Sequence, residues 1–144
     1  MFVLCPKCWN ELKSLPADCP HCGTRVDLFS PTYERRLLAA LTHANPERRA
    51  QICWVLGSIG ARNAVHTLVE LLHDPDVFVR VAALRGLGEI GDPCAFTAVE
   101  KATVTQNLVV RTVARNVLKT LEPPAGKHLQ QRETPSPART GDAA

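Results

Sequence analysis

The sequence has few aromatic residues and no long apolar run, and both shortages limit what the chain can be. Aromatic residues make up 5% of the 144 residues, which is typical of helices that pack through Leu, Val and Ala. No stretch of about 18 apolar residues occurs, so the sequence predicts no membrane-spanning helix. The first residues also lack the charged and long apolar segments of a secretory signal. We therefore predict a cytoplasmic protein.

The excess of one sign of charge over the other is small as well. The net charge is +3 and no segment concentrates it. Strong nucleic-acid binders usually have a basic face or a pI above about 9, whereas the pI of this chain is 8.6. Nucleic acid is therefore a less favoured partner, and its candidate contacts beside the N-terminal segment are Arg35, Arg36, Arg48 and Arg49.

Two cysteine pairs lie near the start of the chain, each with two residues between the cysteines. They read Cys5-Pro6-Lys7-Cys8 and Cys19-Pro20-His21-Cys22-Gly23. Two such turns can present four thiolates to one tetrahedral ion, which leaves no open position for a substrate. A zinc ion suits four such thiolates. Two disulfides, or an iron ion in place of zinc, are the alternatives. Because thiols in a reducing compartment bind metal more often than they form disulfides, we predict one structural ion bound by Cys5, Cys8, Cys19 and Cys22.

This CPxC…CPxCG pattern resembles the small zinc ribbons found at the ends of many proteins. The resemblance implies that the ion is Zn²⁺ and that residues 1–30 form a ribbon. Residues 1–30 contain too few apolar side chains to make a stable core alone, so metal binding should be coupled to folding. We expect the ribbon to cover the exposed apolar side of the helices that follow, through Phe2, Trp9, Leu28 and Phe29.

The residue pattern of 63–91 recurs 31 positions earlier and 31 positions later in the chain. A fixed period of roughly 20 to 50 residues is typical of a solenoid, in which each unit buries its apolar face against its neighbours. Arg80 aligns with Arg49 in one direction and with Arg111 in the other. One period earlier, Leu87, Gly88, Ile90 and Gly91 align with Leu56, Gly57, Ile59 and Gly60.

Within the unit, apolar residues follow helical spacing on both sides of Asp74-Pro75-Asp76, which predicts a helix, a tight turn and a second helix. Asp76 is a candidate cap for the second helix. Gly57, Gly86 and Gly88 fall inside the second helices, where we expect them to allow close helix approach. The predicted helices are 33–42, 47–59, 62–73, 76–90, from Asp92-Pro93 to about 104, and from the turn at 105–107 to 121.

The segment from Ala64 to Pro93 resembles the HEAT repeats, in the short HEAT-like form first described in phycobilin lyases. The resemblance implies stacked antiparallel helix pairs, with an Asp and an Arg six positions later that bridge neighbouring units. Asp74 and Arg80 match that pattern, whereas the Asp position reads His43 in the first unit and Thr105 in the third. The expected inter-repeat ladder is Arg49, Asp74, Arg80 and Arg111. As an alternative, its arginines bind an acidic ligand that fills a groove.

The same resemblance implies that the second helix of each pair lines a concave surface that holds partners. The period places three rows there, namely Trp54, Arg85 and Asn116, then Glu47, Phe78 and Val109, then Ser58, Glu89 and Thr120. Trp and Arg are enriched among binding hot spots. An equally weighted alternative buries Trp54 under the ribbon or between repeats. We predict a protein-binding scaffold whose candidate contacts are Trp54, Phe78, Arg85, Glu89 and Asn116.

Motifs for catalysis are lacking, so the sequence predicts a protein that is not an enzyme and has no small-molecule substrate. No phosphate-binding Gly loop occurs, and the histidines have no partners spaced as in a triad. An accessory role in a lyase-like enzyme system is an alternative that requires Cys53, Cys94 or a histidine to be exposed in a cleft.

The predicted fold class is all-α, a short α-solenoid of about three HEAT-like helix pairs between a zinc ribbon and a disordered tail. The tail, 122–144, is rich in Pro and contains a single large apolar residue, so it cannot bury enough surface to fold. The predicted domains are the ribbon (1–30), the repeat array (31–121, with units 31–60, 61–91 and 92–121) and the tail.

Overall fold

The computed structural model describes residues 3–13 and 17–123, where a short hairpin is followed by paired helices. In the hairpin, β1 (Val3–Leu4) pairs antiparallel with β2 (Glu11–Leu12). Short 3-10 turns extend two of the helices, at Arg62–Ala64, Leu71–His73 and Pro93–Ala95. The α-helices are α1 (Pro31–Ala40), α2 (Pro46–Ser58), α3 (Val65–Glu70), α4 (Val77–Ile90), α5 (Phe96–Ala102) and α6 (Leu108–Thr120).

These elements confirm the predicted all-α solenoid, with α1/α2, α3/α4 and α5/α6 as its three pairs. The main difference is in the first helices of the second and third pairs. The predicted helix 62–73 is α-helical only over α3 and continues as 3-10 turns at both ends. The third pair's first helix stops at Ala102, where the Thr103 hydroxyl donates to the Glu100 carbonyl at 2.7 Å.

The three second helices begin in the same way. Asn45, Asp76 and Asn107 stand one period apart in extended conformation, and each side-chain oxygen accepts the backbone N–H of the residue two positions on. Such caps satisfy amides that a helix leaves unpaired at its start. Gly91 ends α4 in the left-handed region, at φ 68°. The 31-residue period therefore applies to the caps of the second helices as well as to their apolar residues.

Helix α4 lies between α2 and α6 and forms the centre of the molecule. Two glycines bring α2 and α4 together, because a Cβ on Gly57 would meet the Gly86 Cα at 2.7 Å. A Cβ on Gly86 would in turn meet the Cys53 carbonyl oxygen at 2.8 Å. This confirms the expected close approach at the helix glycines. Fully buried side chains around this contact are Ile52, Val55, Leu56, Leu68, Val79, Leu84 and Leu87.

The N-terminal segment packs against α1 and α2. The buried Tyr33 hydroxyl donates to the Leu4 carbonyl at 2.9 Å, and Arg48 Nη1 donates to the Trp9 carbonyl at 2.6 Å. Of the residues expected to cover the first pair, Trp9 and Leu28 pack on the core. The expectation for Phe29 is wrong, since its side chain is 86% exposed. Leu28 takes the buried position, and the turn into α1 leaves the next side chain in solvent.

Two predictions fall on residues outside the described ranges. Phe2 lies there, as does the predicted disordered tail apart from Glu122 and Pro123. Among the helices of the described residues, none is long and apolar enough to cross a membrane.

Candidate functional site

The four N-terminal cysteines converge on one point. Their sulfurs all lie within 4.8 Å of one another, with Cys5 Sγ 3.5 Å from Cys22 Sγ and Cys8 Sγ 3.7 Å from Cys19 Sγ. A disulfide needs about 2.0 Å, whereas Zn–S bonds of about 2.3 Å give a tetrahedron with edges of about 3.8 Å. The residues present fit a metal ion bound by four thiolates, and the paired-disulfide alternative does not describe this arrangement.

Two matching turns present the sulfurs. In the first, the Trp9 amide donates to the Cys5 carbonyl at 3.0 Å, and in the second the Gly23 amide donates to the Cys19 carbonyl at 2.8 Å. The residue after each second cysteine takes a left-handed conformation, with φ 60° at Trp9 and 67° at Gly23. Glycine adopts this conformation without strain, so the sequence favours it at Gly23. Aligning CPKCW with CPHCG places Trp9 at the same position, and that alignment is the signal that predicts its conformation.

The environments of the sulfurs differ. Burial raises the pKa of the Cys5 thiol to about 12. A hydrogen bond to the Thr24 side chain is the main cause that lowers the pKa of Cys22 to about 6, and the Asn10 backbone lowers the pKa of Cys8. A buried thiol favours its neutral form, and a cation at the centre would favour the thiolate of Cys5 instead.

A groove of about 730 Å³ lies on the face formed by the second helices. Trp54 of α2 and Phe78 of α4 line it with side chains 45% and 78% exposed, and Val109 of α6 borders it at 56%. Trp54 is therefore neither under the ribbon nor buried between repeats. The lining is completed by Pro46, Glu47, Ala50, Gln51, Asp76, Val77, Val81 and Arg85.

The other two candidate contacts lie in an adjoining concavity between α4 and α6. Glu89 and Asn116 line this depression of about 400 Å³ together with Arg85, which also lines the groove. The structure thus brings Trp54, Phe78 and Arg85 together in the groove. Arg85 also connects the groove to the depression that contains Glu89 and Asn116.

The predicted ladder is unequal along the array. Arg49 Nε and Nη2 donate to the two carboxylate oxygens of Asp74, both at 2.9 Å, with side chains 13% and 6% exposed. Arg49 Nη1 also donates to the His43 carbonyl at 2.7 Å. By contrast, Arg80 has a buried Nε without a hydrogen-bond partner. In the described part of the chain no ion pair joins Arg80 or Arg111 to an acid. The ladder is continuous only where the sequence supplies Asp74.

Some of the residues named for the alternative functions are exposed, and others are buried or bonded within the protein. Arg48 and Arg49 are used within the protein, while Arg35 and Arg36 are exposed. Cys53 is fully buried, which raises the pKa of its thiol to about 12. Cys94 is exposed, and its hydrogen bond with Asp92 raises its pKa.

Comparison with known proteins gives a family and a fold. A family model described as HEAT repeats matches residues 34–119. Among curated proteins, none matches. The structure of human deoxyhypusine hydroxylase in complex with glycerol is similar, with a TM-score of 0.59 and 21% sequence identity. The match covers 69% of this chain and 38% of that enzyme. At this identity the likeness shows the fold alone.

That likeness contradicts the prediction that the chain is not an enzyme, because an enzyme is built on a similar fold. The prediction rested on the lack of catalytic motifs that follow one another along the chain. In a repeat fold, side chains from separate units can meet on one face, and motifs of that kind are not required.

Proposed function

Because the chain belongs to the HEAT-repeat family, we propose that it is a protein-binding scaffold whose contact surface is the groove at Trp54, Phe78 and Arg85. One observation carries the proposal. Three large apolar side chains, on three successive second helices, border the same groove and stay exposed. Contiguous exposed apolar surface with a polar rim is typical of a binding site.

The groove supports an apolar anchor with polar contacts around it. Ala50 and Val81 also line it, and Glu47, Gln51 and Arg85 supply polar groups. Aromatic residues and Arg are the side chains that most often dominate binding energy. Glu89 and Asn116 extend the proposed surface along α4 and α6, so a partner longer than the groove would contact these two residues as well.

The matched pair Phe78→Ala and Phe29→Ala tests this proposal. Both side chains are largely exposed phenylalanines, and only Phe78 lines the groove. A partner recovered with the wild-type chain should be retained by Phe29→Ala and lost by Phe78→Ala and by Trp54→Ala. With the purified partner, each groove variant should weaken binding by about tenfold or more. Equal binding by all variants would refute the groove as the contact surface.

We further propose that the cysteine cluster binds one Zn²⁺ and that the ribbon closes the first end of the array. Four sulfur ligands suit zinc, and the closed ligand set supports a structural role. The contacts of Tyr33 with Leu4 and of Arg48 with Trp9 support the closing role. We also propose a reducing compartment such as the cytoplasm, because cysteines there bind metal more often than they form disulfides.

Metal analysis tests the identity of the ion. One equivalent of zinc should be present in the wild type and in Cys94→Ser, whose cysteine lies outside the cluster, and absent from Cys19→Ser. One equivalent of iron with a visible absorption band would replace zinc in the proposal, and no metal in the wild type would overturn it.

A further inference from the structure

A second cavity lies where the ribbon meets α1. It is an open cleft of about 610 Å³ on the N-terminal side of the array, separate from the groove of the second helices. The residues that line this junction cleft are Pro6, Lys7, Trp9, Thr24, Arg36, Ala39 and Ala40.

The charge of the cleft has one sign. Lys7 and Arg36 are exposed, and among the described residues no acidic side chain lines the cavity. In the described part of the chain neither residue takes part in an ion pair. Two cations without an internal counter-ion favour an anionic ligand, and phosphate is an anion that Lys and Arg commonly bind.

Trp9 is the aromatic residue that lines the cleft, and its backbone is held in place. Its φ of 60° lies in a region that residues with a Cβ rarely adopt, and the equivalent position of the second turn is the unstrained Gly23. The Trp9 carbonyl is fixed by Arg48 Nη1, which also donates to Gln51 Oε1 at 3.0 Å. Trp9 is half-buried and lines the cleft beside the two cations.

We propose that the junction cleft binds a nucleotide, either a free nucleoside monophosphate or a residue of a single-stranded nucleic acid. The base stacks on the indole of Trp9, and Lys7 and Arg36 contact the phosphate. Stacking on aromatic side chains beside a positively charged path is how single strands are bound without sequence preference. The site does not use the groove, so it stands or falls independently of the scaffold function.

Tryptophan fluorescence of the metal-loaded full chain tests the proposal directly. The chain has two tryptophans, so Trp54→Phe leaves Trp9 as the reporter. Adenosine monophosphate and an oligothymidylate of about ten nucleotides are titrated separately at low salt. Quenching that saturates below about 1 mM is expected. Saturation by the monophosphate indicates a free nucleotide as ligand, and saturation by the oligonucleotide alone indicates a single strand.

Two neighbouring arginines provide the matched control. Arg35 and Arg36 are both exposed on α1, and only Arg36 lines the cleft. In the Trp54→Phe background, Arg36→Gln should raise the dissociation constant by about tenfold and Arg35→Gln by less than about twofold. Circular dichroism and metal content confirm that both variants are folded. Absence of saturable quenching with both probes, or equal weakening by the two substitutions, would overturn the proposal.

Discussion

The junction between the first and second repeats and the junction between the second and third use the same positions, one period apart, and are held differently. At the first junction Arg49 makes a two-point ion pair with Asp74. At the second, the position equivalent to Asp74 is Thr105, and the Nε of Arg80 is buried without a partner. A repeat arginine is therefore satisfied only where the next unit supplies the acid.

Helix packing differs between the junctions in the same way. At the first, Gly57 faces Gly86 with backbones in close contact, and at the second Gly88 faces the Val117 side chain. Val117 is one period after Gly86. The shared apolar pattern gives both junctions the same architecture, while a few residues that break the period decide how tightly each one is held.

Removal of the metal should have the largest effect on stability, and the two junctions should respond to it differently. Apparent binding free energies of structural zinc reach about 10–16 kcal/mol in small domains, so a chelator should unfold the ribbon. The bonds of Tyr33 and Arg48 to the ribbon would be lost. Hydrogen exchange should then accelerate in α1 and α2 while α6 keeps its protection. Equal acceleration in α6 would show that the second junction also depends on the ribbon.

Asp74→Asn should have the next largest effect, a loss of about 3 kcal/mol in the free energy of unfolding. The substitution leaves the buried Arg49 without its counter-ion, and removal of one partner of a buried pair is strongly destabilising. Thr105→Val, at the equivalent position of the second junction, should change stability by about 0.5 kcal/mol or less. Denaturant unfolding measures both, and similar losses at the two positions would contradict the comparison.

Gly86→Ala should cost about 2 kcal/mol, because its Cβ would meet a backbone oxygen at 2.8 Å. The control is Gly88→Ala, whose Cβ would meet the Val117 side chain at 3.0 Å. That side chain can turn aside, and Ala gains about 1 kcal/mol of helix propensity over Gly. Thermal unfolding should therefore rank Gly86→Ala well below the wild type and Gly88→Ala close to it; the reverse order would refute a tighter first junction.

Thr105→Asp should give the smallest effect, a gain of about 1 kcal/mol at pH 7. It restores the acid that Arg80 lacks, and the gain should vanish in an Arg80→Met background. An ion-paired carboxylate contributes stability above its unfolded pKa of about 3.9 and loses it as the pH falls. Unfolding at pH 7 and pH 3 measures this difference. A gain that persists without Arg80 would mean that the new acid acts elsewhere.

Much of the fold could be predicted from sequence because its causes are local. Helical spacing and the period predict all three helix pairs, and the sequence predicts a cap at Asp76, whose carboxylate accepts the Phe78 and Val79 amides. The cysteine spacing likewise predicted the cluster. Phe29 was misjudged, because whether an apolar side chain is covered depends on which way a turn leaves it.

The sequence by itself determined the repeating helices and the four clustered sulfurs, since periodicity and short spacings act between residues close along the chain. Only the tertiary structure decided that Trp54 stays exposed in one groove with Phe78 and Arg85, and that the Nε of Arg80 is buried without a partner. These properties depend on groups that are distant in sequence and meet only when the helices stack.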